Sequence, residues 1–102
     1  MQDLITAAIA ARAKAHAPYS KFYVGAAMRD EHGHVHAGGN IENAAYPQGW
    51  CAEPSAISLL IMAGGTRVTE VVVMGNGDTL CTPCGGCRQK IREFASGNVK
   101  IH

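Results

Sequence analysis

Two short groups hold most of the chemistry in this chain: Cys51-Ala52-Glu53 and Pro83-Cys84-Gly85-Gly86-Cys87. They supply three thiolates that can ligate zinc and one carboxylate that zinc would not need as a ligand, the equipment for activating a water molecule. Cys84 and Cys87 are three residues apart, so on a helix they share a face and can hold one ion. Each group also opens a helix, whose positive end favours the thiolate form that zinc requires. Three protein ligands leave a fourth tetrahedral position open, as in a catalytic rather than a structural site. Glu53 follows Cys51 by two residues, about 200° of helical turn away, so it can stand beside the open position without ligating. Three thiolates on a divalent cation leave a net charge of about −1 and a less acidic bound water, which makes a neighbouring base more important.

Cys81 offers an alternative. With Cys84 and Cys87 it forms C-x-x-C-x-x-C, and with Cys51 it could complete a structural four-cysteine zinc site or an iron–sulfur site. Pro83 favours the first reading, because proline suits the first turn of a helix and leaves Cys81 in the strand or loop before it. His32, His34 and His36 alternate and could line one strand face as a metal site, but with cysteines better placed for zinc they read as a polar hairpin end. Trp50, beside Cys51, is a pocket wall or a packing residue; the sequence leaves both open.

The elements around these groups follow from periodicity. Residues 3–15 place Leu4, Ile5, Ala8, Ile9 and Ala11 on one helical face, Asp3 can cap the start, and Ala17-Pro18-Tyr19-Ser20 ends the helix. Residues 24–29 and 35–39 flank Asp30-Glu31-His32-Gly33 as a β-hairpin. Residues 51–63 form a helix apolar almost all round, hence buried on more than one side, and Gly64-Gly65 stops it. Residues 70–74 are a strand covered on both faces, Asn76-Gly77-Asp78 is a turn, and a helix over about 84–95 leads to a strand at 99–102. The order α-β-β-α-β-α-β predicts an α/β fold, a three-layer α/β/α sandwich around a mixed β-sheet.

With 102 residues and 47% hydrophobic content, the chain is read as a single domain, 1–102, whose folding buries roughly 65% of the unfolded surface. Nine Lys+Arg against eight Asp+Glu give a net charge of +1. That leaves no broad footprint for nucleic acid or an anionic membrane and favours a small, weakly charged substrate. No apolar run approaches the roughly 20 residues of a membrane span. Asp3 stands where a signal peptide would be positive, so the expected location is cytoplasmic, where four cysteines serve as metal ligands or reactive thiols rather than disulfides.

Four blocks carry a resemblance: Pro18-Tyr19-Ser20-Lys21-Phe22 with Val24-Gly25-Ala26-Ala27; Asn40-Ile41-Glu42-Asn43-Ala44-Ala45-Tyr46; Cys51-Ala52-Glu53; and Thr82-Pro83-Cys84-Gly85-Gly86-Cys87-Arg88-Gln89. In these, in this order, and over almost all its length, the chain resembles the cytidine deaminase family, the small free-nucleoside enzymes of the three-cysteine zinc type. The resemblance implies hydrolytic deamination of cytidine and 2'-deoxycytidine to uridine and 2'-deoxyuridine, with release of ammonia, in pyrimidine salvage. It implies that Cys51, Cys84 and Cys87 hold Zn2+ and that Glu53 takes a proton from the activated water, delivers it to N3 and then protonates the leaving amine. The Ala52 backbone would orient the base and the Thr82 carbonyl receive the amino group. Asn40 and Glu42 would bind the ribose hydroxyls, with Phe22 against base or sugar. It also implies a homotetramer.

Without that resemblance Phe22 reads as a core aromatic, Asn40 as a turn residue and Glu42 as a solvated charge. Two features depart from the family pattern. Pro54 stands where the family often has an arginine that can neutralise the thiolates, a task Arg88 or backbone amides could take over. The chain is also read as lacking the family's C-terminal tail, which often brings an aromatic residue to a shared active site. A deaminase of a cytosine-containing nucleoside antibiotic shares the cysteine blocks, but Asn40-Ile41-Glu42-Asn43 favours the ordinary nucleoside. A polynucleotide-editing deaminase is disfavoured by the missing basic groove and by cysteine rather than histidine at position 51. The non-enzymatic alternative is a four-cysteine structural metal module.

Overall fold

The computed structural model describes residues 2–19, 21–42, 51–75 and 91, and the backbone of 95–101. Helix α1 (Gln2–Arg12) is followed by strands β1 (Gly25–Asp30) and β2 (Val35–Gly39), helix α2 (Ala52–Met62), and strands β3 (Val68–Met74) and β4 (Ala95–Ile101). The sheet order is β2-β1-β3-β4. β1 pairs antiparallel with β2 and β3, and β3 pairs parallel with β4, so the sheet is mixed as expected. Alternation along β1 and β3 divides the core in two. Ala26, Met28, Val71 and Val73 meet Ala56, Ile57 and Leu60 of α2, whereas Ala27, Val72 and Met74 meet Leu4 and Ala8 of α1. With helices on both faces, the sheet is the middle layer of an α/β/α sandwich.

The helices begin and end for identifiable reasons. α2 carries Pro54 in its first turn, where the missing N–H costs no helical hydrogen bond. It ends in a Schellman arrangement: Gly64 adopts φ 95°, its N–H donates to Ile61 O at 3.0 Å, and the Gly65 N–H donates to Leu60 O at 2.9 Å. Asp3 acts differently from the expected cap. α1 already starts at Gln2, and although Asp3 Oδ1 accepts from the Leu4 N–H, the carboxylate also takes Arg29 Nη2 at 2.8 Å and so ties α1 to β1.

The expected last helix falls mostly outside the described residues. Ile91 is helical and buried in the α2 cluster, but Ala95 already belongs to β4, so the helix ends earlier and the strand starts earlier than the sequence suggested. The hairpin histidines have a structural task. Asp30, only 3% exposed, accepts from His36 Nε2 at 2.9 Å and from the backbone N–H groups of His32 and His34 at 2.8 and 2.9 Å. The three alternating residues thus wrap one buried carboxylate, and among the described residues no cluster fit to hold a metal exists.

Candidate active site

Cys51, Ala52 and Glu53 come together at the start of α2. Cys51 is the N-cap residue, with extended backbone (φ −73°, ψ 162°), and its side chain makes no capping hydrogen bond. Its carbonyl instead accepts from Ser55, from Oγ at 3.2 Å and from N–H at 3.4 Å. The thiol is therefore free and exposed, at the positive end of the helix. Glu53, on the first turn, is 5% exposed, and among the described residues nothing hydrogen-bonds to its carboxylate. Ala52 is buried, and its amide lies among the first N–H groups of α2, which have no partner within the helix.

Strand β2 fixes where this turn sits. A Cβ at Gly38 would lie 2.6 Å from Ser55 Cβ and 2.8 Å from Ala56 N, so only glycine lets the first turn of α2 rest on the strand. Gly39, next along, faces the other way, toward Ala11 and Ala15. The pair Gly38-Gly39 in a strand signals close backbone approach on both faces, a cue that sequence reading can use.

A second group forms where β2 runs out. Asn40 Oδ1 accepts from Val24 N–H at 3.0 Å, its Nδ2 donates to Phe22 O at 3.1 Å, and its own N–H donates to Val24 O at 3.2 Å. Glu42 Oε1 accepts from Tyr19 N–H at 3.2 Å, and Glu42 N–H donates to His16 O at 2.8 Å. Neither residue is the idle turn or solvated charge it would be in isolation; both hold the segment before β1. Phe22 is no core aromatic, since 45% of it is exposed. Phe22, Asn40 and Glu42 are thus brought together, whereas Thr82, Cys84 and Cys87, with Trp50, Cys81 and Arg88, lie outside the described residues. A groove of about 490 Å³ along the edge of β2 runs from Ala7 and Ala11 to Ser55, Asn40 and Ile41. It touches the Asn40 group but neither Cys51 nor Glu53, so it is not where the thiol and carboxylate chemistry resides.

Of the three cysteines expected to ligate zinc, Cys51 is the one among the described residues, and its chemistry fits that metal. An exposed thiol that spends nothing on capping, beside a buried carboxylate with no hydrogen-bond partner among the described residues, suits one metal ligand and one proton carrier.

An α/β/α sandwich that presents a cysteine and a glutamate at one helix start has one ligand and one acid–base group of the kind a metal-dependent hydrolase uses. All of the chain, residues 1–102, matches the family described as the cytidine and deoxycytidylate deaminase zinc-binding region, and the chain belongs to that family. It is 38% identical over 102 residues to the cytidine deaminase of Sporosarcina psychrophila, covering 100% of this chain and 75% of that protein. To the cytidine deaminase of Halalkalibacterium halodurans it is 40% identical over 101 residues, 99% of this chain and 76% of that one. The crystal structure of cytidine deaminase from Mycobacterium leprae superposes with a TM-score of 0.94 at 42% identity, covering 98% of this chain and 84% of that chain.

Proposed function

We propose that this protein is a zinc-dependent hydrolase that deaminates cytidine and 2'-deoxycytidine to uridine and 2'-deoxyuridine, releasing ammonia. The observation that carries this reading is the pairing, at the start of α2, of the exposed, uncapped Cys51 with the buried Glu53. Cys51, Cys84 and Cys87 would hold the metal, which when bound supplies Lewis-acid activation of water. Glu53 accepts one proton from the attacking water and delivers it to N3 while the oxygen adds to C4. As C4 becomes a carbonyl, the remaining hydroxyl proton passes through Glu53 to the amine, which leaves as ammonia. The Ala52 amide orients the base and the Thr82 carbonyl receives the amino group. Phe22 packs against base or sugar, and Asn40 and Glu42 bind the ribose hydroxyls. The fixed orientation of Asn40 supports its role, because an amide held by two backbone partners keeps one further donor and one further acceptor site.

The working form is a cytoplasmic homotetramer in pyrimidine salvage. Leu59 and Met62, one turn apart on α2 and 51% and 78% exposed, support an assembly that covers this face. Zinc-loaded protein mixed with cytidine should lower the ultraviolet absorbance as cytosine becomes uracil. A flat trace at full zinc occupancy sinks the enzymatic reading.

A further inference from the structure

The segment that carries Phe22 turns through a residue of uncommon backbone. Lys21 has φ 61°, and among the described residues it is the non-glycine residue in the left-handed region, where Cβ crowds the neighbouring carbonyl. Such a conformation persists only where the surroundings fix the chain on both sides. Here they do. Upstream, Tyr19 N–H is held by Glu42 Oε1 at 3.2 Å, and Lys21 N–H donates to Ala17 O at 3.0 Å. Downstream, Asn40 grips Phe22 O at 3.1 Å and Val24 N–H at 3.0 Å. Right-handed or extended backbone at Lys21 would send the chain away from the Tyr19 anchor in another direction, and Phe22 would not meet Asn40. The left-handed turn is therefore what brings the backbone carbonyl of the half-exposed Phe22 to Asn40, within the segment that Glu42 holds at Tyr19.

We propose that Lys21 is a positioning residue for the nucleoside, and that its left-handed backbone, rather than its charge, sets Phe22 against the ligand. The proposal rests on the cytidine reading through the place of Phe22 in that site. Lys21→Gly and Lys21→Asn keep the left-handed conformation accessible, whereas the β-branched Lys21→Val opposes it. The measurements are cytidine steady-state kinetics, uridine affinity by calorimetry, and thermal melting of the zinc-loaded protein. The Gly and Asn variants should hold KM and uridine Kd within about twofold of wild type, with kcat little changed. Lys21→Val should raise both KM and Kd roughly tenfold, the population ratio expected of a disfavoured left-handed residue, while kcat again changes little. A Gly variant as impaired as Val would place the role in the side chain and overturn the proposal, as would wild-type KM and Kd in Lys21→Val. Should Lys21→Val fail to fold, Lys21→Thr takes its place. Failure of both to fold, beside a folded Lys21→Gly, would make Lys21 a fold residue and overturn the proposal. Phe22→Ala separates the two levels: unchanged KM and Kd there remove Phe22 from the site, whereas impairment there with a normal Lys21→Val removes Lys21 alone.

Discussion

Glu53 is a carboxylate held almost out of water, 5% exposed, on the helix turn that follows the exposed Cys51 thiol, where the proposed reaction needs a proton carrier. Glu53→Gln keeps the shape and should keep zinc, while turnover falls by at least ~10²- to 10⁴-fold. Metal analysis together with cytidine turnover checks this, and near-normal activity with zinc bound would remove Glu53 from the chemistry. Among the cysteines, Cys84→Ala and Cys87→Ala should lose metal and Cys81→Ala should keep it, as read from zinc-to-protein ratios; zinc loss from Cys81→Ala would instead support the four-cysteine site. At the sugar end, a buried polar group left unpaired by a smaller substrate discriminates strongly. Glu42→Ala should therefore lower kcat/KM for cytidine much more than for free cytosine. Because Glu42 also holds Tyr19 N–H, equal fractional losses on both substrates would assign it to holding that segment rather than to the sugar.

Among the elements, the strand glycines offer a matched pair of tests on opposite faces of the sheet. A methyl group at Gly38 meets Ser55 and Ala56 and would push away the turn that carries Cys51 and Glu53. A methyl group at Gly25 meets the Ala8 carbonyl oxygen and Arg12 N, 2.6 Å away, and would push away α1 instead. Both Gly38→Ala and Gly25→Ala should cost about 1–3 kcal/mol of stability as overpacking does. Only Gly38→Ala should also weaken zinc retention under a chelator challenge and lower turnover of the folded protein. Equal zinc retention in the two variants would show that the contact with β2 does not position the ligand turn. The elements themselves were legible because their signals are local: the turn composition of Asp30-Glu31-His32-Gly33 between β1 and β2, the apolar run of β3, and the glycines after α2. Their ends were less so. Ala95 reads as the end of a helix from its neighbours but joins β4, since pairing with Val68 on a distant strand decides its conformation. The site divides in the same way. Spacing alone puts Cys51 and Glu53 at one helix start, while the grip of Asn40 on Phe22 and Val24 spans 16 to 18 residues and has no local signature.

Over the whole molecule, acidic side chains tie the hairpin end to the other elements, and this makes the stability of the fold depend on pH. The Arg29 guanidinium lowers the Asp3 carboxyl from its ordinary value of 3.8 to about 2, and the Thr66 hydroxyl, with backbone N–H groups, lowers Glu31 from 4.5 to about 2. Burial alone would raise Asp30, but hydrogen bonds from His36 and from the His34 and His32 amides outweigh it and hold Asp30 at about 2. Each group binds its proton less readily folded than unfolded, so each contributes stability that is complete above the unfolded value and disappears as pH falls from about 4.5 to about 2. Glu31 is the group to test. It reaches from the hairpin turn to the loop before β3, taking the Thr66 N–H at 2.9 Å and the Arg67 N–H at 3.1 Å. Glu31→Gln keeps the shape and cannot ionise. It should be less stable than wild type at pH 6, and the difference should shrink at pH 3, where part of the wild-type advantage has been titrated away. Any acid loss of zinc is common to both proteins and leaves their difference unaffected. Urea midpoints of the two at pH 6 and pH 3 decide it, and a gap that stays constant between those pH values would show that the Glu31 charge is not what holds the hairpin to the loop.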